Sequence, residues 1–177
     1  MAQTIPSLET SADKAIFFIS PTKGELSMAQ VVQEIVDFFK QDPVVTYTLV
    51  IGSDSQVKHE NGLQEVDFVT AVVIHRQGKG GRYFWQKIKD QKIYSLREKI
   101  YTETYLSLEL AQKIVPILKD ALAGLAPYDL EIHIDVGEVG PTREMIKEVV
   151  GMVTGNGFVA KTKPESYGAY SVADKHT

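Results

Sequence analysis

The stretch that decides the fold runs from Val44 to Gln56, VVTYTLVIG followed by SDSQ. Its first nine residues are rich in β-branched and aromatic side chains without polar alternation, and so predict a central strand covered on both faces. On the C-terminal side, Val66 to Arg76 (VDFVTAVVIHR) and Gly81 to Lys89 (GRYFWQKIK) predict two more strands. Asn61-Gly62 and the glycines at 78, 80 and 81 supply turns, so these three strands are expected as an antiparallel meander. On the N-terminal side, Ser27 to Asp42 predicts a helix, with Ser27 as N-cap, Gln30 at capping-box spacing and Pro43 as the stop. Val31, Ile35, Phe38 and Phe39 form its apolar stripe.

Beyond the meander the signals alternate. A long helix is expected within Tyr94 to Ala123, broken or kinked near Pro116. Leu130 to Asp135 (LEIHID) reads as a strand, Pro141 to Gly155 as a helix and Phe158 to Thr162 as a last short strand. The tail from Glu165 to His176 has helix-compatible composition. The order predicts an α/β fold: a five-stranded mixed sheet, three strands in a meander plus two parallel strands, flanked by helices. Residues 1 to 15 are small and polar and are expected as a flexible arm, and 16 to 177 as one domain.

Composition narrows the function. With 19 Lys and Arg against 23 Asp and Glu the chain is no polycation, so a nucleic-acid surface must be local. The absence of cysteine excludes disulfides, thiolate metal sites and a cysteine nucleophile. No apolar run reaches the roughly 18 residues of a membrane span, and the N-terminus lacks a basic flank before an apolar core. The expectation is a cytoplasmic protein with no membrane contact. QGKGGR lacks the ending of a phosphate-binding loop, and no serine sits in a G-x-S-x-G context.

Two predicted strands end in an aspartate, Asp54 after the first and Asp135 after the fourth. If these strands are adjacent and parallel, both carboxylates emerge at the carboxyl edge of the sheet, where α/β folds build sites. Helical phase from Tyr101 places Leu106, Leu110, Ile114, Ile117 and Ala121 on one face, with Glu103 among them and Glu109 opposite. A glutamate on the apolar stripe is costly unless paired or bound to a cation, which selects Glu103. Asp174 and His176, in SYGAYSVADKHT, complete the candidates: Ala169, Val172 and Ala173 give that tail an apolar face with which to dock. His133 shares a strand face with Asp135, either as a ligand-orienting or proton-carrying group or as a hydrogen-bonded core histidine.

The set IGSDSQ, TETYLSLELA, HIDVGEVGPTREMI and KPESYGAYSVADKHT resembles the YkuK-like group of bacterial proteins, whose fold is ribonuclease H-like. The resemblance covers about residues 16 to 177 and implies that fold. It further implies divalent metal binding by a first-strand aspartate, a glutamate on the helix after the meander, a fourth-strand aspartate and a last-helix acidic or histidine residue. These positions match Asp54, Glu103, Asp135 and Asp174, with His176 as neighbour or substitute. Aligning the helix by its ELA segment would select Glu109 instead.

Clustered carboxylates repel and call for a cation, and oxygen donors select a hard one, Mg²⁺ or Mn²⁺. Two such ions roughly 3.5 to 4 Å apart support in-line phosphodiester hydrolysis. The expected activity is that of a metal-dependent nuclease on RNA, DNA or a hybrid, and the resemblance implies products with a 3′-hydroxyl and a 5′-phosphate. Residues 76 to 100 hold eight basic and two acidic side chains, interleaved with Tyr83, Trp85 and Tyr94. Trp85, Lys87 and Lys89 are therefore candidate substrate contacts, with Lys161 and Lys163 near the predicted cluster. A solvated sheet edge explains the same lysines. The alternatives are a non-catalytic module binding nucleic acid or protein, and a hydrolase of small phosphate esters.

Overall fold

The structure is a computed structural model describing residues 17–60, 63–168, 171, 172 and 174–176, with Glu60, Leu63, Asp90 and Asp174 described through their backbone alone. The arm at 1 to 15 and the turn at Asn61-Gly62 lie outside the described residues. A hairpin of two four-residue strands, β1 (Phe17–Ser20) and β2 (Gly24–Ser27), leads into helix α1 (Met28–Gln41). The capping box at Ser27 forms as expected: Gln30 N–H donates to Ser27 Oγ (3.3 Å) and Ser27 N–H to Gln30 Oε1 (2.8 Å). At the other end of α1 the buried Tyr47 hydroxyl donates to the carbonyls of Phe38 (3.1 Å) and Asp42 (3.0 Å), and its ring stacks on Phe39 at 4.0 Å. Those bonds satisfy carbonyls that the helix terminus leaves unpaired.

The meander is β3 (Tyr47–Glu60), β4 (Leu63–Arg76) and β5 (Gly81–Gln91), then α2 (Leu96–Leu122), β6 (Tyr128–His133), a 3₁₀ turn leading into α3 (Ile146–Gly155), β7 (Val159–Lys161) and a single helical turn, α4 (Asp174–His176). The sheet order is β2-β1-β5-β4-β3-β6-β7. β3 pairs antiparallel with β4 and parallel with β6, and β6 pairs parallel with β7. The predicted five strands are all present, but among the described residues the sheet has seven. The β1–β2 hairpin adds to the edge of β5 through Ile19 opposite Trp85, and four-residue strands are too short to show a period.

Three expectations need correction. β3 does not stop at Gly52: its pairing with β4 continues through Asp54 opposite Val69 to Glu60 opposite Leu63. α2 runs unbroken past Pro116, which lies on the solvent face where water can serve the carbonyl left without a donor. Finally, the buried face of α2 is Glu103, Ser107, Ala111, Ile114 and Leu118, with Ile117 half exposed. The stripe is thus rotated from the predicted one, yet Glu103 remains on it.

α1, α2 and α3 bury one apolar core against Tyr47, Leu49 and Ile51 of β3, Val72 and Ile74 of β4 and Phe84 of β5. Strand alternation turns Val50, Gly52 and Asp54 to the opposite face. The C-terminal segment crosses that face, with Gly168 so close that a Cβ there would lie 2.3 Å from Val50 Cγ1. Ser166 and Val172 of the same segment are buried. Among the described residues no helix is long and apolar enough to cross a membrane.

Candidate functional site

The parallel pairing of β3 and β6 ends at Gly52 opposite His133. Two residues further, β3 carries Asp54 and the chain leaving β6 carries Asp135, so both aspartates sit at the carboxyl edge of adjacent parallel strands. The loop bearing Asp135 stays tied to the chain after β7, since Ile134 N–H donates to the Lys161 carbonyl (2.9 Å) and Lys163 N–H to the Val136 carbonyl (2.8 Å). Lys163 is thereby brought beside Asp135, its Nζ 2.9 Å from Oδ1. Gly137 makes room for the lysine stem: a Cβ there would lie 3.2 Å from Lys163 Cβ. A cavity of about 540 Å³ opens beside Lys163, bounded by Gly137, Thr162, Lys163 and Glu165.

Glu103 reaches the same edge from α2. Its side chain is 3% exposed, Ser55 Oγ donates to Oε1 at 2.6 Å, and Lys99 Nζ lies 3.5 Å away one turn earlier. The helix is held in register by hydroxyls beneath it. Ser107 Oγ donates to the Glu103 carbonyl (3.1 Å) and meets Ser53 Oγ (2.8 Å), which meets Thr70 Oγ1 (2.8 Å). Burial pushes the Glu103 carboxyl up to about 7; the charges of Asp54 and Asp135 add to the rise, while Lys99 and the Ser55 hydrogen bond oppose it. Carboxylates from β3 and from the loop after β6 therefore act electrostatically on the Glu103 carboxyl of α2. Glu109, the alternative on α2, instead pairs with Lys113 at 2.9 Å on the outer surface.

Strand alternation separates two of these groups. Ser53 and Ser55 face α2, so Asp54 points to the side crossed by the C-terminal segment, where its Oδ1 accepts from Ser55 N–H (2.8 Å). Among the described residues no three His, Asp or Glu side chains stand as a preformed metal cage. Asp174 heads α4, which packs against β3, but its side chain lies outside the described residues. The donor chemistry nonetheless suits a hard cation: the carboxylate donors are oxygens, and among the described residues Asp135 Oδ1 is buried without a hydrogen bond and is met by the ionic contact of half-exposed Lys163.

Two of the histidines make close contacts across this face of the sheet. His133 is buried, and its Nδ1 accepts from Gly168 N–H (3.0 Å), which leaves Nε2–H to donate to Glu131 Oε2 (2.9 Å). Burial holds its pKa below the ordinary histidine value, Glu131 opposing. It thus pins the C-terminal segment to β6, the core reading of that residue. His176 stacks on Trp85 at 4.2 Å and lies 3.4 Å from the Tyr83 hydroxyl; burial there lowers its pKa, as do Lys175 and Lys87.

The basic stretch 76 to 100 is not one patch. At about 3.3 Å per strand residue it spans the sheet from end to end. Lys79 pairs with Asp42 (2.6 Å) and Arg82 with Glu34 (3.1 Å) at the end near α1. Lys87 meets the fully buried Asp67 at 3.0 Å, Asp67 also meets Lys58, and Lys89 is exposed. Lys161 lies 3.6 Å from Glu165. Sequence reasoning missed Ser55, Lys99 and Asp67. The i, i+4 spacing of Lys99 and Glu103 and the alternation of Ser55 with Asp54 were available signals; nothing local marks Asp67 as buried.

The strand order and the carboxyl edge define the class, and comparison agrees: the ribonuclease H-like family profile matches residues 30–177, so the chain belongs to the ribonuclease H-like family. Within it, the chain is 37% identical to the uncharacterised protein YkuK of Bacillus subtilis (strain 168), over 94% of this chain and 99% of that protein. The YkuK-like resemblance therefore holds over nearly the full length. No solved structure matches the chain.

Proposed function

We propose that this protein hydrolyses phosphodiester bonds of nucleic acid with Mg²⁺ or Mn²⁺ as cofactor. The observation that carries the reading is that Asp54 and Asp135, distant in sequence, stand at the carboxyl ends of adjacent parallel strands, close enough to the buried Glu103 carboxyl for their charges to act on it. Asp54, Glu103 and Asp135 would hold the cations, with Asp174 as the further ligand from α4. When bound, the cations lower the pKa of water and offset charge on the departing oxygen. Ser55 fixes the Glu103 rotamer through its 2.6 Å hydrogen bond. Lys163, half exposed beside Asp135, would meet a substrate phosphate, with Lys161 and Lys89 as further phosphate contacts.

The test is cleavage of single-stranded, duplex and hybrid substrates by purified protein with Mn²⁺ or Mg²⁺. Loss of activity in Asp54→Asn and in Asp135→Asn, each still folded, is expected; cleavage that survives either change refutes the site. A second reading, a binding module without catalysis, is favoured by the lysines that already meet two of the carboxylates. It predicts salt-sensitive nucleic-acid binding that neither requires nor responds to divalent metal.

A further inference from the structure

We infer that Trp85, Lys87 and Asp67 form a seat for the C-terminal segment, and that by holding α4 against β3 they position the turn carrying Asp174 beside the strand carrying Asp54. The positioning half of this inference rests on the function proposed above. The seat itself rests on contacts alone.

Four of those contacts converge. The His176 ring lies on the Trp85 indole at 4.2 Å with the planes 11° apart, and Lys87 Nζ donates to the His176 carbonyl at 3.1 Å. The same Nζ lies 3.0 Å from Asp67, whose side chain is fully buried and also meets Lys58. A carboxylate is retained at such depth only with cations around it. Here it fixes the direction of an ammonium group that is mostly withdrawn from solvent. That ammonium uses its donors on Asp67 and on a main-chain carbonyl, and the indole face is covered by imidazole, so both groups are engaged within the chain.

The seat is also the last of a series of anchors. Gly168 lies on Val50 and His133, Val172 is buried, and His176 closes the run on β5. Gly168 and His176 both fall on the sheet face to which Asp54 points. Removing the last should free α4 while leaving the segment attached at Gly168.

Trp85 is the only tryptophan of the chain, so its fluorescence reports the seat directly. Emission wavelength, acrylamide quenching, the rate of C-terminal trimming by carboxypeptidase and Mn²⁺ binding measured by electron paramagnetic resonance would be compared in wild type, His176→Ala, Lys87→Met and Lys87→Arg. In His176→Ala, loss of one ring contact should weaken docking roughly threefold to tenfold. The expected result is a shift to longer wavelength, more quenching, faster trimming and weaker Mn²⁺ binding in His176→Ala and Lys87→Met, with Lys87→Arg close to wild type and melting temperatures little changed in His176→Ala. If Lys87→Met does not fold, His176→Ala decides by the same readouts.

Unchanged fluorescence and trimming overturn the seat, and a loss of nucleic-acid affinity in Lys87→Met with trimming unchanged makes Lys87 a substrate contact instead. A loosened tail with unaltered Mn²⁺ binding overturns the positioning role. Wild-type protein that binds no Mn²⁺ refutes the proposed function and with it the positioning role, while fluorescence and trimming still decide the seat.

Discussion

The two faces of β3 are built by different means. Tyr47, Leu49 and Ile51 face three helices across a continuous apolar core, closed at its polar end by the Thr70–Ser53–Ser107 hydroxyls. Val50, Gly52 and Asp54 face the C-terminal segment, held by a glycine contact, one buried valine, a histidine stack and lysine contacts. The first face draws its stability from area removed from water, the second from a few directional contacts. Glu103 belongs to the first and Asp54 to the second, so the candidate site lies where a stiff face meets a lightly held one.

The largest effect should come from the helix-covered face. Ile114→Ala, at a fully buried position, is expected to cost about 2 to 5 kcal/mol in denaturant unfolding, with the Trp85 environment unchanged until the whole protein unfolds. Next is Glu103→Gln. The folded state keeps the Glu103 proton up to about pH 7 against an ordinary value of 4.5, so metal-free stability should fall as pH rises between those values. The wild type should lose about 3 kcal/mol across that window, whereas the glutamine variant should lack that slope, and its Mn²⁺ binding should be lost.

On the opposite face, Gly168→Ala forces a methyl group to within 2.3 Å of Val50 Cγ1 and 3.1 Å of His133 Nδ1. A cost of about 1 to 3 kcal/mol is expected, with faster proteolysis of the C-terminal segment as the check that the loss is local. Smallest is Lys163→Met. A half-exposed lysine pair contributes under about 1 kcal/mol, so the melting temperature should hardly move. Removing the lysine should tighten Mn²⁺ binding at Asp135 and weaken nucleic-acid binding at low salt, both measurable by titration. An Ile114→Ala cost no larger than that of Gly168→Ala would erase the contrast between the faces.

Much of this was legible in the sequence. The meander, the crossover strands and the placement of Asp54 and Asp135 follow from runs of β-branched residues and from the turn residues between them, which are local properties. Glu103 was legible because helical phase survives an error of one residue, although the same phase put Ile117 inside and the structure puts it half outside. The β1–β2 hairpin was not legible, since four residues carry no period. Nor was the division of the basic stretch: Arg82 and Lys87 are close in sequence, yet one pairs with Glu34 and the other with Asp67. Asp67 sits in VDFVTAVV as an ordinary polar break in a strand, and only cross-strand pairing brings lysines to it.

The hydroxyl series beneath Glu103 also has a direction. Ser107 gives its one hydrogen to the Glu103 carbonyl, so Ser53 must give its own to Ser107, and Thr70 must give its own to Ser53. The arrangement is polar like a helix, with its acceptor end at the backbone of the glutamate. Thr70→Val removes only the first hydrogen, leaving Ser53 and Ser107 to donate as before, whereas Ser107→Ala strips an acceptor from Ser53 and a donor from the Glu103 carbonyl together. Two changes of one oxygen atom each should therefore differ in how far they disturb the third turn of α2.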